Sequence, residues 1–386
     1  MAILIRLANF SQICNIKGNT KLCYYSFFNS IMKVIIFAGG HGLRMWPISR
    51  KNSPKQFEQM FDGKSTLQLM IERVGKLTSL ENVYISTNKN FEGIIKKQVP
   101  EVPSENIIYE PEKRDLAPAV GYSMVKLKSK GLSGPVTILW SDHLINDTEK
   151  FIEALKTGEE LINDDPDRFI FTGEIPRFAN SNLGWINVGE VVTNINDIEV
   201  RKFEGWTYRP SISLCNELFE SGKAVWNTGY FVTSIDFVIE MYKEHMPEML
   251  SQLEEMTADP SKLDEMYPKL ESISFDDAII VKARKDQALV TKVDMGWSDP
   301  GSLYALKEAL VVNTDENFVK GRAIAFDTKD SMVYNQNDSQ LVTTIGLDGF
   351  LVINTGDTIL VCHKDRVPDI KALLKKVEEE GYEEYL

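Results

Sequence analysis

The sequence predicts an α/β fold: a mixed, mostly parallel sheet flanked by helices in a Rossmann-like arrangement, followed by a small β domain. Three observations carry this. Lys33 to Ala38 is a short apolar run rich in β-branched residues that stops at Gly39-Gly40, as a strand buried on both faces does. Strand-like and helix-like stretches then alternate with crossovers of about a dozen residues, which implies parallel connections. From about Asn317 the texture changes to short apolar runs divided by Asp, Asn and Gly. Three regions are expected: an N-terminal extension over 1–31, a main domain over 32–312, and a small C-terminal domain over 313–386 that ends in a helix.

In chain order, Ser65 to Lys76 has apolar positions at helical spacing, and Ser65 with Gln68 forms a capping-box pattern. Asn82 to Ser86, Phe91 to Val99 and Asn106 to Tyr109 continue as strand, helix, strand. Pro118 suits the first turn of a helix running towards Lys128. Val136 to Trp140 and Phe169 to Gly173 are further strands, and Thr148 is a possible cap for the helix between them. Ser234 to Tyr267 reads as helical, with a methionine stripe that belongs to a core. Arg322 to Phe326, Gln340 to Ile345, Phe350 to Ile353 and Thr358 to Val361 are the short apolar runs of the last region, and Ile370 to Glu380 is an amphipathic helix.

Bulk properties narrow the function. The chain has 386 residues, 43% hydrophobic and 26% charged, with a net charge of −13, which argues against a nucleic-acid or anionic-membrane partner. No apolar run approaches the ~20 residues of a membrane span. Cys14, Cys23, Cys215 and Cys362 lack C-x-x-C spacing and are expected to be free thiols in a reducing, cytoplasmic setting. The first 31 residues have no clean signal-peptide core, and Met32 opens the first strand, so 1–31 is expected to be a disordered arm or not to be translated.

An anionic ligand would need a local cationic pocket, and Gly39 to Phe57 supplies one. Gly39, Gly40 and Gly42 let backbone N–H groups approach phosphate oxygens, and Arg44, Arg50 and Lys55 add positive charge beside them. The Rossmann fingerprint is excluded, because Met45 stands where the third glycine belongs, and a Walker loop is excluded by the spacing to Lys55. Asp142, in Ser141-Asp142-His143, ends a strand at the edge where open α/β sheets bind ligands, although such a residue can equally cap a helix. Asp299, in Gly296-Trp-Ser-Asp-Pro-Gly-Ser302, precedes a helix expected near Gly301 and has the same two readings.

The stretch Gly39-Gly-His-Gly-Leu-Arg44-Met-Trp-Pro-Ile-Ser-Arg50 with Pro54-Lys55-Gln56-Phe57 resembles the signature of sugar-1-phosphate nucleotidylyltransferases, in the long form of the mannose-1-phosphate guanylyltransferase branch. Glu110 to Ala119 is similar to the E-P-x-x-R-N-T-A-P-A segment, with Asp115 and Leu116 replacing Asn and Thr. Ser141-Asp142-His143, Trp226-Asn227-Thr228-Gly229 and the Gly296 to Ser302 segment resemble further motifs. In the sugar-side segment Pro176, Gly184 and Ile186 stand unchanged, and Arg209 replaces the lysine of F-V-E-K-P, while Val281 stands where a glutamate belongs.

The resemblance implies an enzyme that joins GTP and mannose 1-phosphate with the aid of Mg²⁺. Arg44 and Lys55 would be catalytic. Gly39, Gly40, Gly42, Arg114, Pro118 and Ser141 would join them in holding the nucleotide; Gly184, Arg209 and Asn227 would hold the sugar phosphate, and Asp142 and Asp299 the metal. It also implies a β-helix-like C-terminal module able to take part in a homodimer, and a short form with no isomerase domain following. A different sugar or base, such as glucose 1-phosphate with dTTP or UTP, and a ligand-sensing subunit without catalysis are the alternatives.

Overall fold

The computed structural model describes residues 14–16, 19–21 and 31–386, apart from His41, Arg209 and Thr314. The chain divides into two units, Met1–Ser30 and Ile31–Leu386. In the first, Cys14–Ile16 (β1) and Asn19–Lys21 (β2) pair antiparallel. The expectation of a disordered or untranslated arm falls otherwise on residues outside those described.

The second unit is built on a nine-stranded sheet. In chain order its strands are β3 (Lys33–Phe37), β4 (Val83–Asn88), β5 (Ile107–Glu110), β6 (Pro135–Trp140), β7 (Phe169–Glu174), β8 (Gly184–Ile195), β9 (Ile198–Tyr208), β10 (Ala224–Ser234) and β11 (Ala288–Val293). Their order across the sheet is β5-β4-β3-β6-β10-β7-β11-β9-β8. Only β9 and β10 run against the others, so the sheet is mixed and mostly parallel.

Helices α1 (Thr66–Val74), α2 (Glu92–Gln98), α3 (Leu116–Ser129) and α4 (Thr148–Asp164) alternate with the first strands. Successive residues of a strand point to opposite faces, and β3 shows it: Ile35 and Phe37 join one buried apolar cluster, Val34 and Ile36 the other. The capping box of α1 is present, with Gln68 N donating to Ser65 Oγ at 3.2 Å and Ser65 N to Gln68 Oε1 at 3.0 Å. The cap of α4 is Asp147 and not Thr148. Asp147 has the extended backbone of a cap, and its carboxylate accepts from Glu149 N at 3.1 Å and Lys150 N at 3.0 Å, whereas Thr148 is already inside the first turn.

The long strands β8 and β9 form a hairpin that sequence analysis passed over. Asn196 and Asp197 turn it with φ of 50° and 60°, the positive pair a two-residue type I′ turn requires. The expected helical stretch after β10 is α6 (Ile235–His245), α7 (Pro247–Ala258) and α8 (Leu263–Met266), broken where Pro247 and Pro260 sit in first turns. Helix α5 (Ile212–Ser221) precedes β10, α9 (Phe275–Ala278) precedes β11, and α10 (Leu303–Leu310) follows it.

In the last region β12 (Phe318–Lys320), β14 (Met332–Asn335) and β16 (Phe350–Asn354) stack in parallel. So do β13 (Ala323–Phe326) and β15 (Val342–Ile345), while β17 (Ile359–His363) returns antiparallel on β16. Helix α11 (Ile370–Glu379) then packs back. Short parallel strands stacked in successive turns make this module β-helix-like.

Candidate functional site

Loops leaving the carboxyl ends of β3, β6 and β11 meet at one edge of the sheet. In the first loop, Gln56 Nε2 donates to the carbonyls of Gly40 at 2.9 Å and Ala38 at 3.3 Å, which fixes the glycine turn from behind. Gly42 has φ of +57°, and a Cβ there would lie 3.0 Å from Cγ of Lys55 and 3.1 Å from Ser49 Oγ. Glycine is therefore needed for the lysine stem to pass.

The other two loops are clipped together. Leu144 N donates to Ser298 O and Ser298 N to Leu144 O, each at 3.0 Å. Asn146 N and Asp147 N both donate to Met295 O, at 3.1 and 3.0 Å. Behind them the buried Glu174, at the end of β7, accepts from Met295 N at 3.1 Å, from Trp297 N at 3.0 Å and from Arg177 Nη1 at 2.7 Å. Arg177 Nη2 donates in turn to Trp297 O at 2.8 Å. Burial lifts the Glu174 carboxyl to about 7 in spite of these donors.

This scaffold delivers Asp142 and Asp299 to a single lysine. Lys55 Nζ lies 2.8 Å from Asp142 Oδ2, 3.6 Å from Asp299 Oδ1 and 3.4 Å from the Pro300 carbonyl. Burial disfavours its charge, but the two carboxylates outweigh burial and hold the ammonium pKa above its ordinary value. Burial also opposes ionisation of Asp142, and Lys55 overrides it, holding that carboxyl at about 2. Neither aspartate caps a helix: the next cap after Asp142 is Asp147, and α10 is capped by Ser302, whose Oγ accepts from Ala305 N at 3.3 Å. Arg44 is exposed on the same loop, with Nη2 3.3 Å from where a Gly301 Cβ would be.

His143 stands between two cavities. Its Nδ1 lies 3.1 Å from Trp297 Nε1 and 3.2 Å from the Tyr230 hydroxyl. An indole only donates, so Nδ1 accepts and the ring proton sits on Nε2, which is 3.9 Å from Oδ1 of both Asp142 and Asp299. Burial lowers the pKa of the ring, which keeps it neutral.

On one side, a cavity of about 370 Å³ is lined by Gly39, Gly40, Gln56, Glu110, Ser141 and Asp142, among others. On the other, about 530 Å³ is lined by Gly184, Trp185, Tyr208, Asn227, Asp276 and Asp299, among others. His143 lines both.

Of the residues singled out from sequence, Gly39, Gly40, Gly42, Arg44, Lys55, Ser141, Asp142 and Asp299 come together here, and Gly184 and Asn227 line the second cavity. Pro118 is buried in the first turn of α3, beside Ala119, which lines the first cavity. Arg114 does not line it; its Nη2 lies 3.3 Å from Glu112 Oε2, and Lys113 takes the place on the wall. Arg209 lies outside the described residues. Arg50 does not add charge to the glycine turn. It donates to Asp357 Oδ1 at 2.6 Å, to Thr355 Oγ1 at 3.1 Å and to the Tyr385 carbonyl at 3.3 Å.

Sequence reasoning did not single out Glu110, which lines the first cavity, or Glu174, which braces the loop after β11. Glu110 is buried at the end of β5, where Ser86 Oγ donates to its Oε1 at 3.0 Å and the Tyr267 hydroxyl to its Oε2 at 2.7 Å. Its position at a strand's carboxyl end was the available signal. Among the described residues, no group of three or more His, Cys, Asp or Glu side chains could hold a metal on its own. Two convergent carboxylates already neutralising one cation are nevertheless the hard-oxygen donors that Mg²⁺ takes when phosphates and water complete its shell.

A sheet edge with a glycine turn, a buried lysine and paired carboxylates beside two cavities suits a phosphate-bearing ligand. The Nucleotidyl transferase family matches residues 33–316, and this chain belongs to it. A MannoseP isomerase/GMP-like beta-helix domain matches residues 321–377. Among curated relatives, mannose-1-phosphate guanylyltransferase 2 of Escherichia coli O157:H7 is 28% identical over 91% of this chain and 74% of its own length. The mannose-1-phosphate guanylyltransferase RfbM of Salmonella typhimurium is 29% identical over 91% of this chain and 73% of its own. Among solved structures, the mannose-1-phosphate geranyltransferase of Thermus thermophilus superposes with a TM-score of 0.80 at 28% identity, covering 90% of this chain and 99% of that one. The chain is thus a nucleotidyltransferase, with the α/β fold and β-helix-like module expected from sequence. No helix among the described residues is long and apolar enough to cross a membrane.

Proposed function

We propose that this nucleotidyltransferase converts GTP and α-D-mannose 1-phosphate into GDP-mannose and pyrophosphate. The observation that carries the reading is Lys55 paired with both Asp142, which lines one cavity, and Asp299, which lines the other, so that each substrate would have a cavity beside the same cation. The names of the guanylyltransferase relatives support the choice of sugar and base.

A sugar phosphate has a second pKa of about 6, so near neutral pH it is already an ionised nucleophile. Its oxygen attacks the α-phosphorus as the bond to pyrophosphate breaks, and no side chain has to take a proton. What opposes the step is repulsion between polyanions and charge gathering on the departing pyrophosphate. Lys55, Arg44 and the N–H groups of the glycine turn supply the compensating field, and the two cavities supply alignment. Asp142 and Asp299 would hold Mg²⁺, which when bound neutralises charge on the nucleotide's phosphates.

Glu110 supports a guanine base. Its carboxylate faces the nucleotide-side cavity with acceptor capacity left after Ser86 and Tyr267, and guanine offers two adjacent donors, N1–H and N2–H₂. On the sugar side, Asn227 lines the cavity, and Arg209 would hold the phosphate by analogy with the family's lysine. A homodimer through the β-helix-like module is supported by Ile324, Phe326 and Ile345, large apolar side chains exposed on the paired strands β13 and β15. The free thiols Cys215 and Cys362 fit a reducing, cytoplasmic setting.

Pyrophosphate release measured over a panel of nucleoside triphosphates and sugar 1-phosphates tests the reading. Highest kcat/KM for GTP with mannose 1-phosphate is expected; preference for dTTP or UTP with glucose 1-phosphate would replace it, and no release with any pair would refute catalysis.

A further inference from the structure

The signature loop that carries Lys55 is fastened to the β-helix-like module by residues the reaction does not touch. Trp46 is buried, and its Nε1 donates to the Tyr385 carbonyl at 2.7 Å. Arg50 reaches the same carbonyl at 3.3 Å and also binds Asp357 Oδ1 at 2.6 Å, Thr355 Oγ1 at 3.1 Å and Thr358 Oγ1 at 3.3 Å. Arg50 thus turns both terminal nitrogens to the loop between β16 and β17 and to Tyr385, while its Nε donates to the Pro47 carbonyl at 3.3 Å. The apolar contacts run the same way: Met45, Trp46 and Ile48 share one buried cluster with Leu351, Ile353, Leu360, Val367 and Leu386. Leu144, two residues after Asp142, and Leu303, four after Asp299, belong to that cluster too. Every segment that presents a group of the Lys55, Asp142, Asp299 constellation therefore rests on the module.

We infer that Arg50 and Trp46 are positioning residues, through which Asp357 and the Tyr385 carbonyl hold the signature loop in the geometry that places Lys55. The inference rests on the proposed reaction for its functional half, but its structural half does not. A glycine-rich turn has little rigidity of its own, and misplacing a charged group by about 1 Å can cost ~10²-fold in rate. An exposed ion pair, by contrast, is worth little to global stability. Asp357 is about half exposed, so its removal tests the loop without threatening the fold.

The experiment compares Asp357→Ala, Arg50→Ala and the double variant with the unaltered chain in two measurements. Amide hydrogen exchange of the ligand-free protein is followed over residues 42–57, with β3 as internal control. Loss of a hydrogen bond to a charged group is expected to speed loop exchange about tenfold in each single variant and no further in the double, with β3 unchanged. In the same samples, pyrophosphate release should show kcat lowered about tenfold by Asp357→Ala, and the double variant no slower than Arg50→Ala. Asp357→Asn, which keeps an acceptor, should recover part of both losses. Unchanged loop exchange in both single variants overturns the inference. So does Arg50→Ala abolishing turnover while Asp357→Ala matches the unaltered chain in exchange and kcat, since Arg50 would then act on phosphate directly. If the unaltered chain turns over no substrate pair, the functional reading fails, and the exchange data still decide the fastening.

Discussion

The two cavities on either side of His143 are built by opposite means. The cavity proposed for the nucleotide stands at the carboxyl ends of parallel strands and is lined by short turns: Gly39 and Gly40 after β3, Ser141 and Asp142 after β6, and Glu110 at the end of β5. The cavity proposed for the sugar is lined by residues of the hairpin β8–β9 and of β10, including Trp185, Trp206, Tyr208 and Asn227, and by Asp276 and Asp277. Backbone turns suit phosphate, which every nucleotide carries. Side chains on a hairpin suit the distinction of one set of sugar hydroxyls from another. On the proposed reading the division separates chemistry from selectivity, and substitutions on each side should fail in different ways.

The largest effect is expected at the boundary. Lys55→Ala should lower kcat about 10² to 10³-fold, because it removes charge stabilisation that matters most in the transition state. Steady-state kinetics check it, and a near-normal kcat would detach the lysine from the chemistry. Asp142→Asn and Asp299→Asn should each be folded and nearly inactive, and the double variant scarcely worse than either, because both would serve one ion. Titration of activity against Mg²⁺ is the measurement; unchanged activity and metal dependence in either variant would remove that carboxylate from the site.

A smaller and one-sided effect is expected from Asn227→Ala. Losing neutral hydrogen bonds to a sugar should raise KM for mannose 1-phosphate about tenfold and leave KM for GTP unchanged. Equal changes in both would erase the division between the cavities. The smallest effect concerns pH. The Glu174 carboxyl is raised from 4.5 to about 7 in the folded chain, so the folded state holds a proton that the unfolded state has lost. Its contribution to stability is therefore present below about 4.5 and is lost as pH rises towards about 7. Denaturant unfolding of Glu174→Gln should lack that decline between the two values.

The division also decides what can be seen in the sequence. The first strand, the capping box at Ser65 and Gln68 and the first-turn Pro118 are local, and each stands where the sequence puts it. So do the glycine turn and Asp142 just past the end of β6, since strand ends and glycines are punctuation that a linear pattern preserves. The hairpin β8–β9 is hidden because its residues read equally well as motif positions, although Asn196-Asp197 is a turn signal. Asp147 escapes notice as the cap of α4 because Thr148, one place on, fits the same preference. Glu110 and Glu174 are ordinary glutamates until the fold buries them, and burial is not a local property. Arg50 reads as positive charge for the glycine turn because a cation on that loop is locally plausible, yet Asp357 and Thr355, to which it donates, lie in another module of the chain.

The pair of hydrogen bonds between Leu144 and Ser298 has a mechanical consequence. Asp142 is two residues from one end of that clip and Asp299 is next to the other, so the carboxylates ride on a single stiff jaw. Opening the jaw would break two backbone bonds at once. Accommodation to a triphosphate that arrives, reacts and departs as two fragments must then fall to the one long, rotatable arm among the three groups, that of Lys55. The spacing of the two aspartate backbones is thus set by the fold before any substrate binds, and a cation held between them, as proposed, would have to fit a gap it cannot widen.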